Sequence, residues 1–330
     1  MGESALADQL ERIRSGFIDT PVIPLDHERL DLFAKTEYCN LNGSVKDRSA
    51  YVMLQRAVQR GELTADSTVV ESSSGNLAIS LAALCRLLGI PFVPVIDQNV
   101  NAPTEMLLRA TCDRVEKVTE RDGTGGYLRT RLDRVTTLTE TLENTFWPNQ
   151  YSNPDAADAH YLLTGAEICR TFDRLDYIFV GVGTAATIAG VSRRIHEYLP
   201  QTKVIAVDSA GSAIFGQQAR TRHIPGIGSS IRPPLLDQAE IDDVVIVEEH
   251  ESVVACRRLL TRFGLFCGGS TGSVYAAIER YFASYRGPRL SVLFLCADRG
   301  IAYTNTVYQQ GWLERVRNPT SSRGESGTEQ

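Results

Sequence analysis

The 330-residue sequence predicts an α/β protein of two lobes, built on open, twisted, mostly parallel sheets flanked by helices. Three observations predict it. Short β-rich runs alternate with helical runs along most of the chain. The strand candidates are near-continuous in apolar residues, as strands covered on both faces should be. A turn-rich stretch at residues 149–154 (NQYSNP) separates one strand–helix series from the next. The length also fits two lobes better than one.

The elements follow in order. The opening MGESALADQLERIRSG is an amphipathic helix and not a signal peptide, because it has no apolar central region. A helix over 45–60 begins straight after Gly43-Ser44. Then come a strand at 68–71 (TVVE), a helix at 76–88, a strand at 92–97 (FVPVID) and helices at 104–111 and 126–142. Beyond the turn-rich stretch lie a helix at 157–171, a strand at 177–182, a helix at 187–199 and a strand at 204–208. A strand at 244–248, helices at 251–263 and 271–284 and a strand at 291–297 complete the series. Such alternation implies right-handed crossovers. We assign residues 42–150 to a smaller, mobile lobe and residues 1–41 and 151–317 to a larger one. The polar, Gly/Ser-rich tail 318–330 is expected to be disordered.

Composition narrows the class. Hydrophobic residues make 43% and charged residues 22%, the balance of a soluble globular enzyme, and the net charge of -6 comes from interspersed acids and bases. No basic patch points to nucleic acid, and no apolar stretch is long enough for a bilayer. Seven scattered cysteines without a C-x-x-C pair suggest a reducing compartment, with cytoplasm the default location. The five histidines show no metal-ligand spacing.

Four loops carry the chemistry, each at a junction leading into a helix, where an open α/β sheet places its ligands. In Asn42-Gly43-Ser44-Val45-Lys46-Asp47-Arg48 a lysine opens a helix. The macrodipole is positive there, which lowers the pKa of an amine and suits it to forming and exchanging an imine. Glu71-Ser72-Ser73-Ser74-Gly75-Asn76 crowds hydroxyls, a glycine and an amide onto a helix start, a site for a carboxylate, with capping by Ser73 or Ser74. Gly181-Val182-Gly183-Thr184-Ala185-Ala186-Thr187 follows a strand and suits close approach of an anion. Read alone, that loop is also G-x-G-x-x-A with Asp208 ending the next strand, the pattern of a nicotinamide-dependent oxidoreductase. Cys267-Gly268-Gly269-Ser270-Thr271-Gly272-Ser273 opens a fourth helix.

Together these motifs resemble the cysteine synthase and cystathionine β-synthase family, pyridoxal-phosphate enzymes of fold type II with a tryptophan synthase β-like fold. The resemblance runs from Ser15 to Leu313 in the family's order. It implies pyridoxal 5′-phosphate as cofactor, attached to Lys46. It implies Ser73, Ser74, Gly75 and Asn76 as the substrate-carboxylate loop, with Asn76 also facing the cofactor's 3′ oxygen. Gly183, Thr184, Ala185, Ala186 and Thr187 match the cofactor-phosphate loop, Ser270 the serine at the pyridine nitrogen, and Gln150 a glutamine near the substrate carboxylate. The family also implies a homodimer.

Residues 125–131, the Ser-Gly-Asn-Leu-Ala variant, and the runs 210–216 and 225–228 are closer to one branch. That branch joins O-phospho-L-serine to L-glutamate with release of phosphate, supplying 2,3-diaminopropionate for siderophores and peptide natural products. Two departures from the usual family pattern matter. Alanines 185 and 186 replace a glycine-rich phosphate loop, and keep close approach if their φ values are negative. Leu77 stands where a threonine is usual, which removes a hydroxyl and disfavours plain cysteine synthesis; a cysteine synthase or O-phosphoserine sulfhydrylase remains the runner-up. The two carboxylates of glutamate require further cationic or hydrogen-bonding groups. Arg129 and Arg131 lie two apart on a helix and so point in different directions; we favour Arg131, with Tyr151 beside Gln150. Arg222 and Arg232 read as surface residues.

Overall fold

The computed structural model describes residues 3–317; the predicted disordered tail at 318–330 lies outside them. Its strands are β1 (Val22–Leu25), β2 (Leu30–Lys35), β3 (Thr68–Ser72), β4 (Phe92–Asp97), β5 (Glu116–Val118), β6 (Thr145–Phe146), β7 (Tyr177–Gly181), β8 (Lys203–Ser209), β9 (Asp243–Val247) and β10 (Leu290–Leu295). The helices are α1 (Glu3–Arg14), α2 (Lys46–Gln59), α3 (Asn76–Leu88), α4 (Ala102–Thr111), α5 (Leu128–Thr141), α6 (Pro154–Ala159), α7 (Ala166–Thr171), α8 (Ala186–Tyr198), α9 (Glu249–Phe263), α10 (Gly269–Tyr281) and α11 (Trp312–Arg317).

The strands form two sheets. The larger runs β1-β2-β10-β7-β8-β9 and the smaller β5-β4-β3-β6. Every pairing is parallel except β1 with β2. The fold class is therefore the one the alternation predicts, a parallel α/β architecture with one antiparallel edge. The middle strands carry the core: Val292, Leu293 and Phe294 of β10 and Val69 and Val70 of β3 are fully buried.

The sequence reading passes over β1 and β2. In β1, Pro24 removes a backbone donor, and the strand survives because it lies at the sheet edge and pairs only with β2. The helix predicted at 157–171 divides instead into α6, a π-helical turn at His160–Gly165, and α7. That turn packs on α8 at Gly190, where an added Cβ would lie 2.0 Å from the Ala157 carbonyl oxygen.

The start of α2 is fixed from below by a buried ionic network. Arg48, 1% exposed, donates through Nε to Glu37 at 2.7 Å and through Nη2 to Glu167 at 2.8 Å, and Lys35 donates to Glu167 at 2.7 Å. Thr20 and Asn40 bond the same carboxylates. Breaking one such partner would strand a buried charge, so the network holds α2 in one position.

Candidate active site

The four glycine-bearing loops converge on one cleft. Lys46, Asn76, Gly183, Thr184, Ser270 and Asp298 all line it. They come from the starts of α2 and α10 and from segments following β3, β7 and β10, the last three at the carboxyl ends of parallel strands.

Lys46 is half-buried and lines the cleft. Burial pushes the amine pKa down to about 8, opposed by the Asp298 carboxylate. The Lys46 Nζ lies 3.4 Å from Thr184 Oγ1, which brings the amine to the loop after β7.

Asn76, first residue of α3, donates Nδ2 to Asp298 Oδ2 at 2.7 Å. The Tyr303 hydroxyl donates to the same oxygen at 2.8 Å. Burial holds the Asp298 pKa above the usual carboxylate value.

The loop after β7 corrects an expectation. Ala185 has φ 67° and ψ -5°, in the left-handed region, and not a negative φ. An L-residue there costs roughly 1–2 kcal/mol. The following Ala186 is helical, and successive left- and right-handed residues turn consecutive N–H groups into a concave anion site at the head of α8. Thr187 Oγ1 lies 3.3 Å from His160 Nε2, which also faces Ser49 Oγ at 3.0 Å. Burial, with the Lys46 and Arg48 charges nearby, keeps this imidazole neutral.

Ser73 Oγ accepts the Ala78 N–H at 3.2 Å and so serves the start of α3. Ser74 does something else: it donates to Asp97 Oδ2 at 3.1 Å and receives Arg131 Nη1 at 3.0 Å. Arg131 also lies 3.2 Å from Asp97, whereas Arg129 points to solvent. Gly75 precedes α3 with φ -148°. Gln150 donates Nε2 to the Ser72 carbonyl at 3.0 Å, tying its segment to the same loop. The Tyr151 phenol is raised in pKa by burial, with the Arg131 charge opposing. Glu71 lies behind them all, fully buried at the end of β3. Its carboxylate accepts the Ser72 and Gln150 N–H groups at 2.8 and 3.3 Å, and burial lifts its pKa to about 7.

Asp298 and His160 escape the sequence reading, and Glu71 enters it only as the first residue of the hydroxyl-rich loop. The acids had a signal, since each closes an apolar strand run (TVVE and LFLCAD) at the end where such sheets bind ligands. Asp208 closes another such run, but it is fully buried and accepts the Ser209 N–H at 2.8 Å, so it is not placed as a ribose-binding acid. Arg232 is a surface residue paired with Asp237. Arg222 is not one: half-buried, it donates to the carbonyls of Gly211 and Ser229 at 2.7 and 3.2 Å.

The cleft fits pyridoxal phosphate on its donor set. It offers a desolvated amine, an anion-binding turn heading a 13-residue helix, and the Ser270 hydroxyl, which has no side-chain partner among the described residues. No group of His, Cys, Asp or Glu among the described residues is arranged to hold a metal, and all seven cysteines are free. No described helix is long and apolar enough to cross a membrane.

Comparison with known proteins agrees with this geometry. Residues 13–297 match the family model described as pyridoxal-phosphate dependent enzyme. The N-(2-amino-2-carboxyethyl)-L-glutamate synthase of Ralstonia nicotianae is 40% identical over 302 residues, covering 90% of this chain and 89% of that one. The protein of the same name from Cupriavidus metallidurans is 41% identical over 291 residues, covering 87% and 85%. Among solved structures, O-acetylserine dependent cystathionine beta-synthase from Helicobacter pylori superposes with a TM-score of 0.84 at 25% identity, over 90% of this chain and 98% of that one. O-ureido-L-serine synthase gives 0.81 at 26% identity, over 98% and 96%.

Proposed function

Since the chain belongs to the pyridoxal-phosphate dependent enzymes and performs β-replacement on amino-acid substrates, we propose that it joins O-phospho-L-serine to L-glutamate. The products are N-(2-amino-2-carboxyethyl)-L-glutamate and phosphate, the former a precursor of 2,3-diaminopropionate. The relatives of that name support the reading. The observation that carries it is Arg131, whose guanidinium reaches Ser74 of the proposed substrate-carboxylate loop while paired with Asp97, with Tyr151 beside it. Sulfide needs no such cation. Reactants bearing a phosphate and two carboxylates do.

Bound pyridoxal phosphate supplies an electron sink that acidifies the substrate Cα–H and lets the Cβ substituent leave. Lys46 would hold the cofactor, and its amine would take the substrate Cα proton and later return it. Its low pKa leaves a substantial neutral fraction near pH 8 for that task. Gly183 to Thr187 receive the cofactor phosphate and Ser270 the pyridine nitrogen. Ser73, Ser74, Gly75, Asn76 and Gln150 orient the substrate carboxylate. Arg131 and Tyr151 meet the anionic groups of the second substrate. The segment 42–150 closes over the site to exclude water, and two chains pair as a homodimer.

The test is product analysis. O-phosphoserine and glutamate together should release phosphate in step with the new adduct, identified by mass. Faster phosphate release with sulfide, yielding cysteine, would reject glutamate as the nucleophile. Arg131→Met should lower kcat/KM for the phosphoserine–glutamate pair by about 10- to 100-fold, the loss of one charge-assisted contact, with cofactor binding retained.

A further inference from the structure

We propose that Asp298 is a positioning residue of this active site: its carboxylate fixes the Asn76 amide and provides the counter-charge facing Lys46. The inference rests on the reading of Lys46 as the cofactor lysine.

The backbone around Asp298 joins two of the four loops. Ser44 pairs antiparallel with Asp298, and Cys267 with Arg299. The Val45 N–H donates to the Ala297 carbonyl at 2.8 Å, and the Gly268 N–H to the Asp298 carbonyl at 3.0 Å. Residues 297–299 thus back both the segment that presents Lys46 and the one that presents Ser270. A change at Asp298 is felt by both.

The side chain adds a third loop. Asp298 is 4% exposed, and its Oδ2 receives both Asn76 and Tyr303. An amide oxygen turned toward a carboxylate would set two acceptors together without a hydrogen between them. The carboxylate therefore settles which way the Asn76 amide faces: one N–H goes to Asp298, leaving the other N–H and the amide oxygen for the cleft. Asp298 Oδ1 has no hydrogen-bond partner among the described residues. It occupies space that only glycine leaves open, since a Cβ on Gly268 would stand 1.9 Å from it. A buried carboxylate with a half-satisfied head is costly to keep, and a facing cation offsets that cost.

Lys46 lines the same cleft, beyond ion-pair distance, and its charge acts on Asp298. Tyr303 and Tyr308 follow β10, Cys256 lies on α9, Cys267 lies between α9 and α10, and Cys296 follows β10. Burial holds both phenols and the Cys256 and Cys296 thiols protonated. On the other side of Lys46, His160 from the π-helical turn is neutral and Thr184 is uncharged.

The experiment follows rebinding of pyridoxal phosphate to the full-length chain stripped of cofactor, as the rate of growth of the visible band between pH 6 and 10. The rate depends on the neutral fraction of Lys46, so the wild type should show a midpoint near 8. Asp298→Asn should move that midpoint down by up to about one unit, the effect of removing an opposite charge from the same cleft. Tyr303→Phe, which weakens only one bond to the carboxylate, should move it in the same direction by less. A soluble Asp298→Asn variant with wild-type melting behaviour and an unmoved midpoint would overturn the proposal. If that variant does not fold, an unmoved midpoint in Tyr303→Phe does so instead. Lys46→Ala separates the two readings: a normal band in that variant removes Lys46 as cofactor lysine, whereas its absence beside an unmoved Asp298→Asn midpoint removes only the role of Asp298.

Discussion

Lys46 stands where two effects oppose its charge: a helix start, where unpaired N–H groups repel cations, and a poorly solvated cleft. The first effect is visible in a sequence, the second only once the chain is folded. The same division runs through the other residues. Ser270 and Asn76 sit in motifs, while Glu71 and Asp298 end apolar runs and look like any acid leaving a sheet for solvent. What distinguishes them is burial at 0% and 4%, which no local pattern encodes. Glu71 carries a pH prediction. Its folded pKa of about 7 lies above the ordinary 4.5, so the folded state holds an extra proton between those values. Stability from this group is therefore greatest at low pH and declines as pH rises from about 4.5 to 7. Glu71→Gln should lose that decline, seen as a flatter melting temperature between pH 5 and 7; an unchanged slope would remove Glu71 as its source. If Ser270 meets the ring nitrogen as proposed, its neutral hydroxyl suits β-elimination, since a carboxylate there would draw a proton onto that nitrogen and alter its electron demand. Ser270→Asp should slow phosphate release by about tenfold or more; unchanged turnover would count against its placement at that nitrogen.

Among the elements, most long apolar strands and their helices are legible from periodicity, while β2, with Asp31 and Lys35 breaking its apolar run, and the weak strands are not. β1 holds a proline, and β5 and β6 are three and two residues long, too short for any alternation to register. The π-helical turn inside the predicted helix 157–171 leaves no mark on composition, because its cause is tertiary: α8 packs so closely that Gly190 has no room for a side chain. Gly190→Ala should destabilise the protein by roughly 3 kcal/mol, as overpacking against fixed backbone does, which thermal melting would read directly. The left-handed Ala185 was likewise hidden, since alanine signals helix and not a positive φ. The turn persists because β7 and α8 determine both of its ends.

At the scale of the molecule, two parallel sheets direct the carboxyl ends of β3, β7 and β10 toward one cleft, and the buried Arg48 network holds α2 against it. The sequence shows which loops matter, and the order of strands explains how loops more than a hundred residues apart meet. The convergence of an amine, an anion-binding turn, an amide and a neutral hydroxyl is the basis for assigning Lys46 as the cofactor lysine. The most direct test is the visible absorption spectrum of the full-length protein and of Lys46→Ala, taken first alone, then with O-phosphoserine, then with glutamate or sulfide. The account predicts a yellow wild type whose band moves with O-phosphoserine and returns with glutamate but poorly with sulfide, and a Lys46→Ala protein without that band. A colourless wild type that pyridoxal phosphate cannot reconstitute, or an undiminished band in Lys46→Ala, would contradict it.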